Sequence, residues 1–420
     1  MKFSKLSQLA LVSATGLLVA TLLTACQIVT IDYIFVASSA GTGTSNDGSI
    51  DTFAVDSESG ALRTAIAPVS SGGSMPVAMA VTSNYQNLYV ANQADNALVH
   101  FAIAPNGRLV QKDAVTLSSQ GATPVSIAVN EAGTFLYLVS ADYPGKSGAT
   151  AGAVLAAFHL GTDGVIGAAV ANGGLSYWPL VIPGYSTDLM VPTGVTVLAN
   201  NNAVFVTAFD QSAYNPGGVT TSNANPGWVF GFASDSGGAL TPSVGSPYQA
   251  GVKPTALAAD PTNRFVYVTD YASNELIGYT IQSGSTLNFL INGPFKTGNE
   301  PDAIVVDPRG KYIYLANALD SSVSAYAIDL ATGTPSAAVN VTGSQINSTD
   351  TQPVSILVDP ALGRFVYTAN HLGNSVSGFR LDPNTGSLTT TQATPYPSSG
   401  SPTAVVSVPH GSHSLQSVTP

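Results

Sequence analysis

A single cysteine, Cys26, occurs in 420 residues, which excludes an intramolecular disulfide as a brace for the fold. Charge is scarce as well. Charged side chains are 9% of the chain, 13 Lys and Arg against 24 Asp and Glu, for a formal net charge of −11. So sparse and acidic a surface repels polyanions, excluding nucleic acid and anionic lipid headgroups as partners. Beyond residue 23 no apolar run is long enough to cross a bilayer, and no stretch sustains a helical hydrophobic period. The sequence lacks a G-x-S-x-G nucleophile elbow, an H-E-x-x-H zinc motif and a G-x-x-x-x-G-K-[ST] phosphate loop. Its five histidines are too scattered to spell a metal site; His410 and His413 come closest, in a polar tail. No metal or cofactor is expected, and stability must come from a buried core, which a chain of this length can supply.

What is present begins at the amino terminus. Lys2 and Lys5 precede an uncharged apolar stretch from Leu9 to Leu23, which closes on Leu23-Thr24-Ala25-Cys26. A basic region, a hydrophobic region and small residues at a cleavage point make a secretory signal. The layout resembles a bacterial lipoprotein signal, which implies cleavage after Ala25 and acylation of Cys26. Several acyl chains would then tether the mature protein to the outer face of a membrane. Gln27, rather than Asp, resembles outer-membrane sorting in a cell with two membranes. Removing Lys2 and Lys5 leaves 11 basic against 24 acidic side chains. The expected plan is a signal over 1–25, a tether over 26–30, one domain over 31–408 and a polar tail over 409–420.

The chain repeats itself. Prolines recur at Pro76, Pro124, Pro192, Pro254, Pro301, Pro353 and Pro402. Each opens a short apolar strand, such as Ala303-Ile304-Val305-Val306, and a turn such as Asp307-Pro308-Arg309-Gly310 follows. A β-branched and aromatic strand comes next and ends on a small residue and Asn or Asp, as in Tyr312-Ile313-Tyr314-Leu315-Ala316-Asn317. A third strand carries one aromatic in register: Phe53, Phe101, Phe158, Phe232, Tyr279, Tyr326 and Phe379. A glycine turn (Gly60, Gly107, Gly164, Gly238, Gly284, Gly333, Gly386) leads to a fourth strand. Four short strands per unit at this period predict an all-β, seven-bladed β-propeller of four-stranded blades. Three strands lie upstream of Pro76 and one downstream of Pro402. The carboxy-terminal strand is therefore expected to join the amino-terminal three and close the ring, which removes the exposed edges.

The second-strand ending is similar to the YVTN propeller repeat. The longer unit from Pro301 to Val323 resembles the bacterial 6-phosphogluconolactonase-like propellers, and the resemblance spans all seven units. It implies a lactonase as one reading of function. The unit departs from the family's pattern at Asp302-Ala303, where those proteins carry Arg-His after the proline, and at Ala318, where they carry Glu. An acid in place of a phosphate-holding arginine does not suit a phosphosugar.

Insertions mark where function would be grafted. Two of them, from Asp142 to Gly152 and from Asp210 to Gly227, join second and third strands; a third, from Ala171 to Val191, joins two blades. All three open on one face and bring Tyr143, Tyr177, Trp178, Tyr185, Tyr214 and Trp228 to it. Aromatics beside small polar groups bind amphipathic ligands such as sugars. Lys253, Glu300 and Asp302 flank the proline anchors at the mouth of the central channel, and His371 follows a second strand on that face. The leading expectation is a membrane-tethered, monomeric binding platform for a glycan, a peptide or an envelope protein, with no catalytic residue assigned. The alternatives are a lactone hydrolase with a non-standard site and a structural subunit of an envelope assembly.

Overall fold

The computed structural model describes residues 29–39, 47–117, 123–141, 152–182, 190–214, 225–340 and 342–411. Cys26, the signal segment, Tyr143, Tyr185 and His413 lie outside the described residues.

Seven antiparallel sheets form the propeller. Blade 1 is built from Thr30–Ser38, Ser49–Asp56 and Leu62–Ser70, with Pro402–Pro409 as its inner strand. Blades 2 to 7 follow in order over residues 76–116, 124–179, 190–249, 254–296, 301–348 and 353–397. Inner strands pack against their neighbours all the way round, including Pro402–Pro409 against Pro76–Val81. The ring is thus closed by the two ends of the chain, as the repeat count requires. The closing strand pairs through Asp32↔Pro409, and His410 N–H still donates to the Ile31 carbonyl at 2.7 Å. The ordered fold therefore runs slightly past residue 408. In blades 3 to 7 a short fifth strand also pairs with the third, for example Trp178–Pro179 and Tyr248–Gln249.

Each second strand is covered on both faces by adjacent blades, so it reads as an unbroken apolar run. All six residues of Asn87–Asn92, Phe265–Asp270 and Tyr312–Asn317 are buried. Fourth strands such as Leu62–Ser70 form the outer rim and are mostly exposed. The in-register third-strand aromatics are all buried, none more than 4% exposed. Blades are riveted by a repeated contact. Tyr89, Tyr267, Tyr314 and Tyr367 each donate a hydroxyl hydrogen bond to a turn glycine carbonyl of the following blade: Gly164, Gly333, Gly386 and Gly60. At Gly386 the backbone is left-handed (φ 73°), and a Cβ would lie 2.2 Å from the Tyr312 ring, so no other residue fits.

The closure carries a buried acid pair. Asp32 is 0% exposed, and neither of its carboxyl oxygens has a hydrogen-bond partner that meets ordinary geometry. Across the blade boundary Asp359, also 0% exposed, accepts the N–H groups of Leu362, Gly363, Arg364 and Phe365. Burial, and then the neighbouring Asp359 charge, hold the Asp32 carboxyl well above the usual range. A folded-state value above the unfolded one favours the protonated form. Its stabilisation is complete below about pH 3.9 and is lost as pH rises towards the folded value. Asp32→Asn keeps a neutral donor beside Asp359, and it is expected to raise the melting temperature at pH 8 by roughly 2–6 °C. It should also flatten the pH dependence of melting between pH 4 and 8. An unchanged or lower melting temperature at pH 8 would contradict a neutral Asp32.

Candidate functional site at the channel mouth

One face of the ring is assembled by three repeated positions. The residue before each anchor proline rims the opening, the residue after it lines the channel, and the residue following each second strand lies beside both. At five of the seven rim positions the backbone is left-handed without glycine: Met75 (φ 55°), Thr123 (63°), Glu300 (55°), Gln352 (58°) and Ser401 (46°). Such conformations cost free energy and cluster at ligand sites. Neighbouring blades are stitched at this level by Gln93 Nε2 to the Pro124 carbonyl (3.2 Å), Thr255 Oγ1 to Pro301 (2.8 Å) and Thr403 Oγ1 to Pro76 (2.7 Å).

Within the channel lies a cavity of about 220 Å³, lined by the first residues of all seven inner strands. Its walls are apolar or small polar residues, Met79, Ile127 and Leu257 among them, apart from one acid, Asp302. Burial pushes the Asp302 carboxyl up to about 6; Lys253 opposes the shift and Glu300 adds to it. Lys253 is set by the second-strand ending of its own blade, where Asp270 accepts the Val252 and Lys253 N–H groups at 2.8 and 2.9 Å. The Lys253 ammonium then lies 4.3 Å from the Tyr271 ring centroid, 5.5 Å from Tyr214 and 5.9 Å from Phe209, a cation–π cluster. Tyr271 donates to Glu300 Oε2 at 2.7 Å. Burial first, and the Glu300 carboxylate second, keep that phenol protonated.

The structure thus brings four of the expected residues together: Lys253, Glu300, Asp302 and Tyr214. Tyr271 and Phe209 complete the cluster and were not anticipated. His371 stands elsewhere on the rim, its Nδ1 3.1 Å from the Pro402 carbonyl. Tyr177, Trp178 and Trp228 are corrections. They are 7%, 5% and 8% exposed and belong to the cores between blades, so they present no ring to a ligand. Trp178 sits in a two-residue strand opposite Leu155, and Trp228 lies between Ala208 and Gln249 in its sheet.

All six arginines of the chain lie on the opposite face or its rim, at turns or strand ends: Arg63, Arg108, Arg264, Arg309, Arg364 and Arg380. Among the described residues the cluster at the mouth offers the Lys253 ammonium, the Glu300 and Asp302 carboxyls and aromatic rings. Among the described residues no group of three or more His, Cys, Asp and Glu is arranged to hold a metal ion.

The family model described as "Lactonase, 7-bladed beta-propeller" matches residues 34–172 and 212–408. The chain belongs to this lactonase family. No curated protein matches it. Among solved structures it is similar to the periplasmic gluconolactonase of Pseudomonas aeruginosa (16% identity, TM-score 0.70, 90% of this chain and 99% of that one). It is also similar to putative 6-phosphogluconolactonases of Bacteroides fragilis (17%, 0.68, 90% and 98%) and Bacteroides uniformis (18%, 0.67, 90% and 100%). At these identities the likeness establishes the propeller fold, while the residues at the mouth are this chain's own.

Proposed function

We propose that this lactonase-family propeller hydrolyses uncharged sugar lactones at the channel mouth between blades 5 and 6. The observation that carries the reading is the Asp302 carboxyl, the one acid lining the channel cavity, pushed up to about 6 by burial and in the same cluster as the Lys253 ammonium. A base of that strength is matched to neutral pH. In the reaction water attacks the lactone carbonyl carbon while Asp302 takes the water proton. Lys253 faces the tetrahedral oxyanion. Collapse breaks the bond to the ring oxygen, which receives the proton as it leaves, giving the open hydroxy acid. Tyr214 and Tyr271 supply ring faces for the sugar. The absence of arginine from the mouth argues for a substrate without phosphate.

Export and anchoring through Cys26 belong to the same proposal, supported by the signal and by the periplasmic relative. Thr30 begins the first strand on the face opposite the mouth, so a short tether from Cys26 would leave the mouth facing away from the lipid. A second reading, a platform that binds a glycan, peptide or envelope protein without turnover, draws on Met75, Leu319 and Leu372. They lie at turns on the mouth face and are 49%, 64% and 63% exposed.

The test is a panel of neutral and phosphorylated lactones with purified protein. Neutral sugar lactones should open faster than in buffer, and 6-phosphogluconolactone should not. No acceleration with any lactone, together with retention of a glycan or envelope protein, would favour the platform.

A further inference from the structure

A second cavity, about 380 Å³, is not at the mouth. It lies on the outer part of blade 7, towards the opposite face, between Arg364, Arg380, Asp382, Asn384, Ser387 and Thr389. We propose that it is a binding site for a small hydroxylated molecule bearing an oxyanion, a carboxylate or a phosphate ester.

The repeat supplies an internal comparison. Arg264 in blade 5 occupies the position of Arg364, immediately before the second strand, and its contacts are all internal. It donates to the Leu330 carbonyl at 2.5 Å and to Thr262 Oγ1 at 2.8 Å, and its guanidinium lies 4.9 Å from the Phe265 centroid. The equivalent of Arg380 there is Thr280, paired with Phe265. In blade 6 the two positions are Lys311 and Ala327. Blade 7 alone places arginine at both positions, with Arg380 paired to Phe365 and both arginines lining the cavity. Neither makes a side-chain hydrogen bond or an ion pair among the described residues.

The walls are fixed before any ligand arrives. Asp359 holds the backbone N–H groups leading into Arg364, and Arg309 Nη2 donates to the Gly363 carbonyl at 2.6 Å. The facing turn is pinned from blade 6 by Tyr312 to the Pro383 carbonyl (3.1 Å) and Tyr314 to Gly386 (2.9 Å). Asp382 is turned to its own loop, where Oδ1 accepts the Asn384 N–H at 2.8 Å. Two cations with unused donors around one cavity favour an oxyanion in it, and guanidinium forks suit carboxylate and phosphate geometry. Asn384, Ser387 and Thr389 line the same cavity and offer an amide and hydroxyls to the ligand's own hydroxyls.

Calorimetric titration of the full chain with glucuronate, glucose 6-phosphate, inorganic phosphate and glucose tests the site. Saturable binding of at least one anionic sugar, and none of glucose, is expected. Tighter binding of glucuronate than of glucose 6-phosphate would identify a carboxylate ligand; the reverse order would identify a phosphate ester. Arg380→Gln should weaken binding about tenfold or more, whereas Arg264→Gln should leave it unchanged. No binding by the wild-type chain, binding of inorganic phosphate alone, or equal losses in the Arg264→Gln and Arg380→Gln variants would overturn the proposal.

Discussion

Asp302→Asn is expected to lower kcat on a neutral sugar lactone by about 10²–10⁴-fold, the usual contribution of a positioned general base. The loss should not come from unfolding. Because the folded protein pushes the Asp302 carboxyl up to about 6, the charge it carries at neutral pH costs the folded state free energy relative to the unfolded chain. A neutral Asn should therefore melt no lower than the wild type at pH 7.5. The wild-type rate should rise with pH through about 6 and level off above it, since the base acts only when deprotonated. Lys253→Met removes the opposing positive charge, so in that variant the midpoint should move to higher pH as kcat falls. Wild-type kcat in Asp302→Asn, or a wild-type rate independent of pH between 5 and 8, would remove Asp302 from the chemistry.

The propeller was legible because its physics repeats. A proline opens each inner strand, and a second strand buried on both faces must be apolar throughout. A turn glycine follows each third strand, commonly because an aromatic of the preceding blade occupies the space of a Cβ, as Tyr312 does at Gly386. Part of the mouth was legible for the same reason: Lys253, Glu300 and Asp302 flank the anchor prolines, whose place in a ring is fixed. Tyr271 carried a signal that went unread. It follows Asp270 in the register that His371 occupies after Asn370, and the second marks the rim as well as the first. The tryptophans misled because composition alone does not say which way a ring points. Trp178 lies in a strand of only two residues, too short to leave a period. Trp228 is the second residue of the third strand of blade 4 and is buried opposite Ala208. The arginine pocket was invisible because Arg364 and Arg380 are 16 residues apart in sequence and come to line one cavity only through the pairing of two strands.

Truncation at the ring's closure should have the other large effect. Removing 402–420 deletes the inner strand of blade 1, in which Ala404, Val405 and Val408 are 7%, 5% and 2% exposed. Burial of each valine stabilises by about 1.5–3 kcal/mol. The Thr403 bond to Pro76 and the Val405 N–H bond to Ser355 Oγ at 3.2 Å go with them. The loss also opens the edge of Thr30–Ser38 and leaves blades 7 and 2 facing a gap. Against a total stability of about 5–15 kcal/mol, that is enough to abolish cooperative unfolding or to send the protein into aggregates through its new edge. Removing only 412–420 leaves His410 on Ile31 and against the Tyr33 ring, 4.9 Å between centroids, and should change the melting temperature little. Because the missing element is a single strand, a peptide of residues 402–411 added during refolding should restore part of the cooperative transition to the shorter protein. Equal melting of the two truncations would mean that the ring does not depend on the joining of its ends.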